Sequence, residues 1–516
     1  MDWSRPRPEV RLTCLVLLLL LAGALAEAEP PDPSTVVILA NSADRDSLNL
    51  AAHYARTRKI PAKNIIHLRM PRAEEVSWDQ FSGTLLNPLR QILIDRELLG
   101  GRFRSETDAF GRRKFIPLDN SVEYLVLCRG VPLKLKNELS KVQADELART
   151  PSNYRTTGSS VDAELALLAS ENQAGLGWVH NPLFKKNNPG PFTRKLVVKV
   201  ARLDGPTHES ALRLVDSAQA GELAARGRAY VDAGGPHRQG NDWMDSVRAR
   251  LEDEGYEVGH ESTSALFNEG QRFDAPLLYF GWHSYHVQGP FARTDLTFPA
   301  GALAFHIHSF SAQSLRTDNR HWVGPLVKQG VTATIGNVSE PYLHLTHHLP
   351  VLLEQLLDGK CLADAAYASL PALSWQAILV GDPLYKPNWI PPTLKPAQSP
   401  FHIEQYSTMK TVRRLAQSGQ TAEALNLGRT HLQQAYGIPL AITLAEITAQ
   451  QGQSPAIGQL LAPAVRVQAS GFQQAGALLQ AALILKRAGF KRESDQIRSN
   501  LRRIRNLPAA LLQQLQ

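Results

Sequence analysis

Leu277-Leu278-Tyr279-Phe280-Gly281-Trp282-His283-Ser284 opens a series of three similar stretches. The second is Ala302-Leu303-Ala304-Phe305-His306-Ile307-His308-Ser309-Phe310-Ser311-Ala312. The third is Val331-Thr332-Ala333-Thr334-Ile335-Gly336-Asn337-Val338-Ser339-Glu340-Pro341. Each is an apolar run of strand length that stops in small and polar residues. Buried parallel strands have this form, because both of their faces are covered. Ligands of open parallel sheets bind outside the carboxyl ends of the strands. The three ends are therefore expected on one edge of one sheet. Eight of the chain's 16 histidines fall between His283 and His348, which places the candidate site here. His283, His308, Ser309 and Ser311 are its candidate catalytic residues. His306, Asn337 and Glu340 are its candidate binding residues.

Outward from this stretch the chain alternates strands and helices. Towards the N-terminus, Thr35 to Leu39 reads as a first buried strand, Ser47 to Arg58 as a helix and Asn64 to Leu68 as a strand. Leu85 to Leu99 reads as a helix ended by Gly100-Gly101, and Tyr124 to Cys128 as a third strand. Lys136 to Gly158 is a polar insertion. Lys195 to Val200 and Arg228 to Val231 read as strands, with helices over His208 to Glu222 and Trp243 to Glu254. The rhythm implies parallel strands with right-handed crossovers. Two successive α/β units are expected, 35–158 and 159–390, the second carrying the site. Residues 391–401 are proline-rich and read as a linker. Residues 402–516 lose the strand signal and read as a separately folding all-α domain, either a tetratricopeptide-like array or a plain bundle.

The N-terminus has Arg5, Arg7 and Arg11, then an apolar run from Leu12 to Leu21, then Ala24-Leu25-Ala26. This is the pattern of an export signal over 1–26, with an uncleaved anchor as the alternative. The expected location is the periplasm or the extracellular space. No later stretch is long and apolar enough to span a bilayer. The formal charge of +8 is spread over 516 residues. Without a dense basic run interleaved with aromatics it does not point to nucleic acid. Cys128 and Cys361 lie in or beside apolar segments and read as buried free thiols, a single disulfide being the alternative.

Bland readings compete with the chemical ones. His306 and His308 share one strand face, and His344, His347 and His348 fall at helical spacing. With Glu340 they could hold zinc, but the spacing matches no metal motif, so neither metal nor cofactor is assigned. Asp162 and Glu164 read as helix-start charges and Asp382 as a turn former.

Several segments together carry a resemblance. They include Val36 to Asn41, Tyr54 to Pro61, Tyr124 to Pro132, Ser160 to Leu165, His308-Ser309-Phe310, Gly336 to Pro341 and Gly381 to Leu384. The series resembles an uncharacterised exported bacterial family found in genomes that carry exosortase, the proposed protein-sorting transpeptidase. A more distant likeness is to gingipain-like, caspase-fold cysteine peptidases. In those a strand ends in Gly-His-Gly, and the next ends in a catalytic Cys within a small-residue turn. His283 takes the first place here and Ser309 or Ser311 the second, with no cysteine. The resemblance implies a caspase/gingipain-like α/β fold and a context of surface-protein sorting. It leaves the expected function as a non-catalytic envelope protein, or one of unspecified activity, with a protein or polysaccharide partner. The alternative is an active serine- or metal-dependent hydrolase.

Overall fold

The computed structural model describes residues 31–173, 175–390 and 399–516. The expected leader, 1–26, and residues 391–398 of the expected linker lie outside the described residues. Ten strands form one sheet. They are β1 (Val36–Asn41), β2 (Ile65–Leu68), β3 (Tyr124–Cys128), β4 (Lys199–Leu203), β5 (Arg228–Asp232), β6 (Val258–Glu261), β7 (Pro276–Trp282), β8 (Leu303–Ile307), β9 (Ala333–Asn337) and β10 (Ala377–Gly381). Their order in space is β6-β5-β7-β8-β9-β10-β4-β3-β1-β2. The sheet is mostly parallel. β10 is reversed against β9, with Asn337 opposite Ala377 and Ala333 opposite Gly381.

Two parallel stretches thus share a single sheet through β10. The expected boundary at 158/159 does not divide it, because β4 pairs in parallel with β3, from Tyr124 opposite Lys199 to Cys128 opposite Leu203. The carboxyl ends of the two stretches lie on the same side. Arg316, in the loop after β8, reaches Asp204 just beyond β4 at 2.5 Å.

β1 shows why the strands form. Val36, Ile38 and Ala40 enter one apolar cluster, Val37 and Leu39 the other, and all five are fully buried. Period-two alternation sends neighbours to opposite faces, so a strand covered on both sides reads as an unbroken apolar run. The crossovers are helices α1 (Arg45–Arg58), α2 (His208–Leu223), α3 (Arg238–Asp253) and α4 (Val323–Gln329). Asp44 caps α1 by accepting from Asp46 N at 3.0 Å. Thr207 and Ser210 form a capping box at the start of α2.

Three local expectations change. Gly100-Gly101 does not end a helix but opens a two-strand hairpin, Leu99–Thr107 with Arg113–Asn120. A Cβ on Gly101 would lie 2.3 Å from the Phe115 ring, so the glycine lets that ring cross the strand. Lys195 closes a short helix, Pro191–Leu196, and β4 begins only at Lys199. Asp162 and Glu164 are buried, not solvated helix-start charges. Asp162 pairs with Arg202 at 2.7 Å. Glu164 accepts from Ser159 at 3.0 Å and Ser374 at 2.5 Å. Arg202 and Ser374 come from distant segments, which i, i+2 spacing cannot reveal.

Helices α5 (Leu349–Leu357) and α6 (Leu362–Ser369) precede the C-terminal helices. These are α7 (Gln405–Gln417), α8 (Thr421–Gln434), α9 (Ile438–Gln450), α10 (Ser454–Leu461), α11 (Phe472–Arg487), α12 (Lys491–Leu501) and α13 (Ala509–Gln514). Small residues sit where these helices meet. A Cβ on Gly428 would touch Leu444 at 2.5 Å, and one on Gly458 would touch Phe490 at 2.4 Å.

The tail packs directly against the sheet. Leu440, Leu444 and Leu485 share one continuous apolar core with β5, β7 and β8. At the same junction Arg228 and Arg272 lie between Glu257 and Asp274 at 2.6–2.9 Å. Tyr406 of α7 donates to Asp274 at 2.5 Å and Thr443 of α9 to Glu257 at 3.3 Å. Buried charges need partners, and this network takes some of its own from the tail. Cys128 and Cys361 are buried and free.

Candidate functional site

β7, β8 and β9 are parallel neighbours. Gly281 pairs with His306, Trp282 with Ile307 and Leu303 with Ala333. Their carboxyl ends therefore share one edge, as the three sequence stretches imply. A cleft of about 340 Å³ opens there. Its lining includes His283, His308, Ser309 and Glu340, together with His237, Trp282 and Tyr342.

Backbone geometry aims these side chains. His283 has φ 66°, Phe310 φ 62° and Tyr342 φ 59°. Left-handed backbone in a non-glycine residue costs roughly 1–3 kcal/mol and tends to cluster at functional sites. Trp282 is wedged between two glycines. A Cβ on Gly235 or on Gly240 would lie 2.4–2.5 Å from its indole. The indole N–H donates to Asn241 at 3.0 Å, which fixes the cleft wall.

The polar contacts decide the chemistry. Ser309 Oγ donates to Glu340 Oε2 at 2.7 Å. Glu340 Oε1 accepts from Tyr342 N at 2.9 Å. His308 Nδ1 donates to the Ser309 carbonyl at 2.5 Å, which leaves Nε2 as the ring's acceptor. The His283 ring centre is 6.3 Å from that of His308. Burial, with His283 nearby, holds His308 below the usual imidazole range, so it is neutral at pH 7. Among the described residues no histidine nitrogen is hydrogen-bonded to the hydroxyl of Ser309 or of Ser311.

The other three residues expected at the site lie beneath it. Ser311 is fully buried, and its Oγ accepts from Asn337 N at 3.0 Å. Asn337 donates to Thr346 Oγ1 at 3.1 Å. His306 is buried and stacked on Trp322 at 3.4 Å. Its Nδ1 is 2.9 Å from Tyr279 Oη, which in turn is 2.9 Å from Asp232 Oδ2. Burial drives His306 well below its ordinary range and raises Asp232 to about 7. A carboxyl, a phenol and an imidazole thus form a buried chain under the cleft floor.

The zinc-type grouping of histidines does not assemble. His344 bonds the Tyr154 hydroxyl at 2.9 Å, and His348 packs between the rings of Trp243 and Phe184. Among the described residues no group of three or more His, Cys, Asp or Glu is placed to hold a metal ion. Asp382 does form its turn, accepting from Leu384 N at 3.0 Å, and also receives Tyr54 and Arg58.

Sequence reasoning missed His237, Tyr342, Asp232 and Tyr279. Asp232 and His237 had a signal. β5 also ends in small and polar residues, Asp232-Ala233-Gly234-Gly235-Pro236-His237, like the three strands that were singled out. Tyr279 lies inside an apolar run and had none.

Comparison with protein-family models, curated proteins and solved structures finds no match for the chain. Among the described residues no helix is long and apolar enough to cross a membrane.

Proposed function

We propose that the chain is an exported protein of the bacterial envelope whose strand-end cleft binds a partner without cleaving it. The partner is a segment of protein or polysaccharide, in keeping with the resemblance to the family that accompanies exosortase. The observation that carries this reading is the 2.7 Å hydrogen bond from Ser309 to Glu340. A serine nucleophile needs a base such as histidine within hydrogen-bond reach. Here its proton is held by a carboxylate, itself held by Tyr342 N, and both site histidines make other contacts. The aromatic and imidazole walls with one carboxylate suit recognition of a polar chain.

The caspase/gingipain-like reading draws support from order along the chain. Adjacent strands β7 and β8 run on into His283 and into His308-Ser309, and α4 and β9, with Gly336, follow. The strained backbone at His283, Phe310 and Tyr342 favours the alternative, an active hydrolase. A serine-reactive fluorophosphonate separates the two. The binding reading expects no adduct at Ser309 after incubation at pH 7–8, and labelling of Ser309 that is lost in His283→Ala or His308→Ala would overturn it.

A further inference from the structure

Another concavity lies far along the chain from the strand-end cleft, in the C-terminal helices. It encloses about 640 Å³ between α9, α10, α11 and the Gly270–Arg272 loop. Its floor is aliphatic, built from Ile457, Leu479, Leu483 and Ile484. Gln450 and Arg487 stand on its rim, and neither side chain makes a hydrogen bond or ion pair within the described residues. Glu446 is the acidic group on its wall. It accepts from Gln480 Nε2 at 2.6 Å, and burial followed by nearby Glu257 raises its carboxyl above the usual range. Glu446 therefore opposes an incoming anion less than a free carboxylate would.

The helical segment that forms this concavity is basic. Residues 399–516 hold thirteen Lys and Arg against five Asp and Glu, an excess equal to the whole chain's +8. Arg487 lines the groove, and Lys486, Lys491 and Arg492 lie within five residues of it along the chain; all four are exposed and make no ion pair among the described residues. Lys486 and Arg487 end α11, where cations suit the helix dipole. Lys491 and Arg492 begin α12, where the dipole disfavours them. Helix stability does not explain that second pair.

We infer that this groove binds an extended acidic peptide, with aliphatic side chains on the Ile457–Leu479–Leu483–Ile484 floor and carboxylates along Arg487, Lys491 and Arg492. Charge complementarity selects the acidic partner. The aliphatic floor selects a peptide. It carries no aromatic platform of the kind that single-stranded nucleic acid stacks on. The groove is separate from the strand-end cleft, so this inference stands or falls independently of the binding proposed there.

The test is fluorescence anisotropy of the full chain with fluorescein-labelled peptides of alternating residues. An alternating Leu–Glu peptide should bind, and more weakly as salt rises. Alternating Leu–Lys should not bind, and alternating Ser–Glu should bind about tenfold less tightly. The double variant R487E/K491E, both changes exposed, should weaken the Leu–Glu peptide by about tenfold while leaving the melting temperature unchanged. Equal binding of the Leu–Lys peptide, or an unaltered affinity in the double variant, overturns the proposal. So does equal binding of the Ser–Glu peptide that alginate displaces, since that describes a basic surface open to any polyanion.

Discussion

Replacing Asp232 by Asn should make the protein more tolerant of alkaline pH. The Asp232 carboxyl is fully buried, accepts Phe267 N at 3.1 Å and lies 2.9 Å from Tyr279 Oη. Burial raises it from 3.8 to about 7 in the folded chain. A folded-state pKa above the unfolded one means that the protonated form is favoured by folding. The associated stability is complete below pH 4 and is lost as pH rises through about 7. About three pH units at 1.36 kcal/mol each give a loss on the order of 4 kcal/mol by pH 8. The amide keeps the shape and cannot ionise. Its oxygen still accepts Phe267 N, and its NH₂ donates to Tyr279 Oη, whose own proton then points to His306 Nδ1. Urea unfolding of both proteins at pH 4, 6 and 8 isolates the term. The difference in unfolding free energy should swing towards Asp232→Asn by several kcal/mol between pH 4 and 8. A difference that stays constant over that range would refute the reasoning, because the carboxyl would then be ionised throughout.

Three further outcomes follow from the geometry. Ser309→Ala should leave the melting temperature nearly unchanged, whereas Ser311→Ala strands the buried Asn337 N–H and should lower stability by about 1–3 kcal/mol in urea titrations. A chain ending at Ile390 should be insoluble or molten by near-ultraviolet circular dichroism, since it loses the tail's share of the core and Tyr406 from the buried ion network; a cooperative thermal transition would contradict this. Gly240→Ala drives a methyl group into the Trp282 indole, so it should cost about 1–3 kcal/mol and alter the tryptophan emission.

The strands around the candidate site were legible because they are buried on both faces and therefore uniformly apolar. β1, β3, β7, β8 and β9 all announce themselves in this way. β10 is equally apolar from Ala377 to Val380, but it is short and runs straight into Gly381-Asp382-Pro383, whose turn signal masks it. The edge strand β6, Val258-Gly259-His260-Glu261, is short and polar and left no periodic trace. At the site, spacing located His283, His308, Ser309 and Glu340 on one edge. It could not show that Ser311, His306 and Asn337 point below the surface, since that depends on packing against Trp322, Tyr279 and Thr346. Nor could it show that Asp162 meets Arg202, a contact across 40 residues.

The position of β10 has a consequence for assembly in time. It is the last strand of the sheet in the chain and the sixth in spatial order, between β9 and β4. Until residues 377–381 leave the ribosome, the sheet exists as two pieces, each with an apolar, unpaired flank. Such flanks are templates for pairing with other chains. The joining strand also closes its contacts with β4 across nearly two hundred residues, a slow class of event. A nascent chain that stops short of Ala377 therefore carries two sticky edges and no way to cover either. Protection of those edges during synthesis, by a chaperone or by rapid completion, is a requirement written into the strand order itself.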